Sequence, residues 1–216
     1  MKKKICIGML FAAMTLAACG GSGATDPDDV SSSNSTANGT DLAAEEDCSV
    51  VTDACEGQKY KTTTIGDQVW MAQNLNIATE ESWCYDDDPA NCETYGRLYT
   101  WYAAQTVCPA GWHLPSKGEF ETLLESVGSS AEERSDNLRD SSWSFHQDKY
   151  GFSALPAGYY FTYYKEFHYL GNSAYFWSST IDDEGNVYAL GVNNLISYVD
   201  IFARTNGCSV RCIKDN

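Results

Sequence analysis

The stretch from Cys108 to Gly128, CPAGWHLPSKGEFETLLESVG, constrains the fold most. Ser116 and Glu119 form an S-x-x-E capping box, in which each side chain satisfies a backbone N–H left without a partner where a helix begins. Phe120, Leu123, Leu124 and Val127 follow at i, i+3, i+4 and i+7, so one helix face is apolar and must be buried. Gly128 ends the run. The spacing predicts a core helix, with Cys108 at its start as one half of a long-range disulfide.

The N-terminus sets the compartment. Lys2, Lys3 and Lys4 make a basic n-region, Ile5 to Ala18 an apolar h-region, and Leu16-Ala17-Ala18-Cys19 resembles the bacterial lipobox. The apolar run falls short of the ~20 residues that span hydrocarbon, so residues 1–18 read as a cleaved lipoprotein leader. Cys19 is then the lipidated first residue of the mature chain and anchors it to a membrane. In such lipoproteins an Asp after the cysteine favours inner-membrane retention; Gly20 stands there instead, which points to the outer membrane or cell surface. Residues 19–47 are rich in Ser, Thr, Asn, Gly, Asp and Ala and contain no aromatic residue, so they read as a flexible low-complexity tether. Residues 48–216 are dense in aromatics and glycine and are long enough for one domain with a substantial core.

Loss of the leader removes three lysines and no acids, leaving eleven basic against thirty acidic side chains. A surface so negative repels nucleic acid, which is excluded as a partner.

Beyond Cys19 the cysteines are 48, 55, 84, 92, 108, 208 and 212. Outside the cytoplasm these form disulfides, and their spacings do not reproduce the paired knuckles of a structural zinc site. The expected pairs are Cys48–Cys55 and Cys84–Cys92 as local loops and Cys108–Cys212 as a clasp, leaving Cys208 as the free thiol; Cys108–Cys208 is the rival pairing. A clasp closing a loop of about a hundred residues contributes about 4 to 5 kcal/mol in the chain-entropy treatment.

Thr, Tyr, Ile and Val flank Gly66-Asp67 within Gln58 to Asn76, which predicts a hairpin with Trp70 and Leu75 in the core. Tyr95 to Gln105 starts extended and turns helical near Trp101. Beyond Gly151, FSALPAGYY, SAYFWSST, VYALGVNN, ISYVDIFA and CSVRCIKD alternate with Gly and Asn/Asp turns. Several short strands after two helices predict an α+β domain with antiparallel sheet.

A series of blocks then carries a family resemblance: Tyr60-Lys61-Thr62, Ile65 to Leu75 (IGDQVWMAQNL), Ser82 to Asp86 (SWCYD), Tyr95 to Tyr99 (YGRLY), Cys108 to Pro115 (CPAGWHLP), Tyr150 to Gly158 (YGFSALPAG), Phe176 to Thr180 (FWSST) and Ser209 to Cys212 (SVRC). In this order they resemble the Fibrobacter succinogenes major paralogous domain, a surface-lipoprotein domain without an established biochemical activity. Gly111 to Ser116 leading into Glu119-Phe120-Glu121, preceded by Thr100 to Ala104, is similar to a block of formylglycine-generating-enzyme-type domains. That second resemblance implies a C-type-lectin-like fold: two helices with a small twisted antiparallel sheet, disulfide-stabilised, which a Cys108–Cys212 clasp would suit. Fold does not carry function with it.

Three chemistries have candidate residues. Asp86, Asp87 and Asp88, with Asp182 and Asp183, offer oxygen ligands for calcium, although neither cluster has the EF-hand spacing; no other cofactor is expected. The aromatic run from Gly158 to Trp177 places Tyr159, Tyr160, Tyr163, Tyr164 and Tyr169 where ring faces can stack on sugars while hydroxyls hydrogen-bond, with Phe161, Phe176 and Trp177 expected inside. The resemblance to formylglycine-generating enzymes, whose C-terminal cysteine pair handles copper and substrate oxidation, implies a thiol/copper oxidase at Cys208 and Cys212 only if both are free, since that chemistry needs an accessible thiolate pair; there the pair is separated by four residues and here by three. Gly-x-Ser-x-Gly and His-Glu-x-x-His patterns are absent. The sequence therefore predicts a lipid-anchored envelope protein displaying a non-catalytic recognition domain for polysaccharide or a surface protein, the alternatives being the oxidase or a purely structural surface protein.

Overall fold

The computed structural model describes residues 50–52 and 58–216, within a compact unit from Asp47 to Asn216. β-Branched Val and Thr make β1 (Val50–Thr52), a Tyr, three Thr and an Ile favour β2 (Lys59–Ile65), and the Gly66-Asp67 turn returns the chain as β3 (Gln68–Met71). Ile65 lies opposite Gln68, so Tyr60, Ile65, Trp70 and Met71 are all buried. Two short strands, β6 (Trp112–His113) and the C-terminal β12 (Ile213–Lys214), complete a sheet of order β1-β2-β3-β12-β6. Between them in sequence, α3 (Lys117–Val127) begins at the Ser116/Glu119 capping box and buries Phe120, Leu123, Leu124 and Val127. Phe120 stacks on Trp70 with ring centroids 5.5 Å apart, which fixes the helix against the first sheet.

The second sheet holds β7 (Ala157–Phe161), β8 (Glu166–Leu170), β9 (Ser173–Ile181), β10 (Val187–Asn193) and β11 (Ser197–Phe202) in the order β11-β10-β9-β7-β8. Its pairs are antiparallel except β7 with β9, which run parallel with Gly158 beside Ala174. Side chains alternate across a strand, and here both faces are apolar. Ala174, Phe176, Leu190 and Val192 join Trp70 and α3 in one core cluster. Trp177, Val187 and Ala189 join Tyr60, Met71, Leu75, Val210 and Cys212 in another. Burying each large side chain so fully contributes about 1.5 to 3 kcal/mol, so the two clusters dominate stability.

A two-stranded ribbon, β4 (Ser82–Trp83) with β5 (Leu98–Tyr99), closes over Tyr85, Ala157 and Tyr160. The remaining helices are α1 (Pro89–Tyr95), α2 (Trp101–Ala104) and α4 (Ala131–Leu138). Among the described residues no helix is long and apolar enough to cross a membrane.

This architecture corrects the expected C-type-lectin-like fold. The described residues do not place two helices beside one small antiparallel sheet; they build two five-stranded sheets and a ribbon, and are mostly β. The physical reason lies in β9 and β10, which are apolar on both faces and demand cover on each side. Helices of seven, four, eleven and eight residues cannot supply that cover alone, so the first sheet and the C-terminal segment do.

That segment, Gly207 to Cys212, is buried throughout and runs between the other elements. Its backbone exchanges hydrogen bonds with Tyr160, Tyr99, Tyr175 and Trp177 on one side, and accepts from Leu75 and Met71 on the other. Disulfides join Cys108 to Cys212 and Cys84 to Cys92. The Cys48–Cys55 pairing, Cys19, the leader and the tether lie outside the described residues.

Candidate functional site: an aromatic hairpin

The β7–β8 hairpin is set by Gly158, whose φ of +63° is a conformation L side chains rarely adopt. A Cβ there would lie 2.1 Å from the His168 carbonyl oxygen, so only glycine lets the two strands approach. Pairing then sorts the aromatics by face. Tyr160 lies opposite Phe167 and turns inward, packing on Trp83 with centroids 4.5 Å apart. Tyr159 lies opposite His168 and Phe161 opposite Glu166 on the other face. The four-residue turn from Thr162 to Lys165 carries Tyr163 and Tyr164 past the strand ends.

A continuous aromatic path results. Trp177 is fully buried and contacts Phe202 at 5.7 Å; Phe202 stacks on Tyr175 at 5.1 Å and meets Tyr159 at 5.2 Å. Tyr159 reaches Phe161, His168 and Tyr169, and Phe161 reaches Tyr163 and Tyr164. The outer end faces water: Tyr163 is 79 % exposed, Tyr164 64 % and Tyr169 56 %. Rings anchored at one end in the core and wet at the other lose little freedom when a ligand stacks on them.

The two half-buried phenols behind the exposed rings, Tyr175 and Tyr159, are held neutral. Burial, then the neighbouring Tyr198, pushes the Tyr175 hydroxyl far above the ordinary phenol range. Burial, then Tyr169 and Cys208, does the same to Tyr159 in smaller measure. These hydroxyls stay protonated at physiological pH and serve as hydrogen-bond donors and acceptors.

Of the five sequence candidates, Tyr163, Tyr164 and Tyr169 lie on the exposed surface and Tyr159 is half-buried behind them. Tyr160 is withdrawn from the surface because its strand position points it into the ribbon cluster. Phe161, expected inside with Phe176 and Trp177, is instead half-buried at the base of the turn, on the opposite strand face from Tyr160. Only Phe176 and Trp177 are fully enclosed.

The acidic clusters serve their own turns. Asp86 and Asp87 occupy left-handed backbone conformations in a 3-10 turn, and Asp88 caps α1 by accepting from the Ala90 N–H at 3.0 Å. Asp182 accepts from the N–H groups of Glu184 and Asn186 and from the Asn186 side chain, while Asp183 is exposed beside it. The bond from Asn186 holds the Asp182 carboxyl below its ordinary range. Among the described residues no three or more His, Cys, Asp or Glu side chains are grouped to hold a metal ion.

The thiols are arranged in the same closed manner. Cys212 is bonded to Cys108, and Cys208 is free but fully buried, with desolvation raising its thiol well above the ordinary value. A dithiol at 208 and 212 is therefore absent from this structure.

Sequence reasoning missed one polar cluster. His113 bridges Asp215 through Nδ1 at 2.7 Å and Glu119 through Nε2 at 2.8 Å, while the other Glu119 oxygen closes the cap on Ser116. Asp215 is 102 residues away, so only the pairing of β6 with β12 brings it there.

The blocks that carry the family resemblance fold inward. Trp70, Met71, Leu75, Leu98, Tyr99, Phe152, Phe176, Trp177, Val210, Arg211 and Cys212 are all at or near zero exposure. They specify the scaffold, whereas the tyrosine turn lies outside these blocks. No curated protein and no solved structure matches the chain. The profile of the Fibrobacter succinogenes major domain matches residues 63–214, from the second strand to the last, and the chain belongs to that family.

Proposed function

We propose that this protein is a lipid-anchored protein of the outer membrane or cell surface, displaying a non-catalytic recognition domain whose aromatic hairpin contacts polysaccharide. The observation that carries the reading is the solvent-facing group Tyr163, Tyr164 and Tyr169, rooted through Phe161 and Tyr159 in the core. An isolated exposed aromatic needs no explanation, but a connected group on a rigid hairpin marks a contact surface. Sugar rings present apolar C–H faces with hydroxyl edges, and tyrosine offers the complementary face and tip. The family membership supports a paralogous surface domain and is neutral on ligand.

The test is binding of the full chain to a broad glycan array, with a Tyr163→Ala/Tyr164→Ala double variant beside it. Wild-type binding that the double variant loses supports the reading. Binding to no glycan leaves a protein-contact or structural role at the same surface.

A further inference from the structure

The ring planes and the charge of the domain narrow the ligand class, given the polysaccharide reading above. Tyr163 and Tyr164 stand 85° apart in plane with centroids separated by 4.8 Å, and Phe161 and Tyr164 stand 80° apart. Tyr159 and Tyr169 differ by 39°. A crystalline polysaccharide surface presents parallel, coplanar pyranose rings, so it meets one of these faces and misses the next. A single chain that rotates about its glycosidic bonds can lay successive residues on successive tilted faces.

Charge makes a second selection. Without the leader lysines the chain carries thirty acidic against eleven basic side chains. The turn itself exposes Lys165 and, at its end, Glu166, and Asp200 is exposed on β11, so the negative bias is that of the domain as a whole. A polymer of uronates or sulfated sugars would confine like charge against this surface, whereas a neutral one would not.

We infer that the hairpin takes single, neutral, non-crystalline glycan chains and rejects both flat crystalline faces and uronate polymers. The tyrosine hydroxyls accept and donate to sugar hydroxyls at the edges, and the perpendicular Tyr163/Tyr164 corner seats one sugar on each ring.

The experiment measures the full chain on affinity gels containing hydroxyethylcellulose, galactomannan or polygalacturonate, and by co-sedimentation with crystalline cellulose. Tyr163→Ala and Tyr164→Ala are run separately, their unfolding midpoints confirming an intact fold. Retardation by a neutral soluble glycan is expected, with binding to polygalacturonate and crystalline cellulose weaker by about tenfold or more. Each alanine variant should weaken neutral binding by about tenfold, as for an aromatic anchor. Equal or tighter binding to crystalline cellulose overturns the inference while leaving the polysaccharide reading intact. So does tight, salt-sensitive binding to polygalacturonate. Binding to none of the four, by retardation in the three gels or by co-sedimentation with cellulose, removes the polysaccharide reading and the inference with it.

Discussion

The Nε of Arg211 donates to the Oδ1 of Asn74 at 2.9 Å, across 137 residues of sequence. The guanidinium is fully buried, lies over the rings of Phe152 and Phe176, and donates from Nη1 to the Phe152 carbonyl and from Nη2 to the Ser153 carbonyl. Its partners are amide and carbonyl oxygens rather than a bonded carboxylate. Burial accordingly pushes its pKa down to about 9, against the opposing pull of Asp148 and Asp140.

A fork that satisfies three oxygens at once cannot be replaced by a single ammonium. Arg211→Ala strands those oxygens in the core and should lower the unfolding free energy by about 3 to 5 kcal/mol. Arg211→Lys should recover little of this, and Asn74→Ala should cost about 1 to 3 kcal/mol. Urea unfolding followed by tryptophan fluorescence, with disulfides intact, measures all three. A wild-type midpoint for Arg211→Ala would contradict this account of the core.

The two disulfides should differ in weight. Cys108–Cys212 spans a sequence separation of 104 and Cys84–Cys92 one of 8. Loop closure then gives the long clasp about 4 to 5 kcal/mol and the short one markedly less. Paired serine variants at each site, compared by thermal unfolding, should show the larger loss for Cys108→Ser/Cys212→Ser; equal losses would refute the ordering.

Around His113 the pH dependence has a definite sign. Burial pulls its pKa down, but the bonds and charges of Asp215 and Glu119 outweigh this and hold it above the ordinary 6.5. Glu119 is raised by burial and lowered more by Ser116 and His113, ending below 4.5. The raised His contributes stability fully below pH ~6.5 and loses it as pH rises through its folded value. The lowered Glu contributes above pH ~4.5 and loses it as pH falls through its own. Their joint contribution is therefore largest between about pH 4.5 and 6.5, and solvent screening of this half-exposed pair keeps it under about 1 kcal/mol. His113→Gln should flatten the stability profile across that window, and an unchanged profile would remove the pair from the balance.

The lipid anchoring proposed above would be carried by Cys19. Metabolic labelling with radioactive palmitate should mark the wild-type protein, and Cys19→Ser should abolish the label and release the chain from the membrane fraction. Label persisting in Cys19→Ser would place the lipid elsewhere.

What the sequence made legible follows from where apolar side chains face. Helix α3 was readable because Phe120, Leu123, Leu124 and Val127 form a pure apolar stripe behind a capping box. Helix α4 carries the same kind of start, with the Ser130 hydroxyl accepting from the Glu133 N–H, yet its buried face holds Ser135 and Asn137 as well as Leu138. Those two bond to the carbonyls of Asn193 and Val127, so the face is buried by hydrogen bonds and shows no hydrophobic period. Helix α1 hid inside the acidic loop because it buries only Cys92, although Asp88 followed by Pro89 is a cap signal. The aromatic run told of a surface but not its sorting: the alternation that hides Tyr160 and exposes the Tyr159 and Phe161 face needed the register of β7 against β8.

The central claim, that the tyrosine hairpin is a glycan-contact surface, is tested most directly by titrating the isotope-labelled protein with a soluble neutral glycan and mapping amide chemical-shift changes. The account predicts shifts confined to the β7–β8 hairpin, strongest at Tyr163, Tyr164 and Tyr169, and absent in the Tyr163→Ala/Tyr164→Ala variant. Saturable shifts centred elsewhere on the domain, with the hairpin silent, would contradict it.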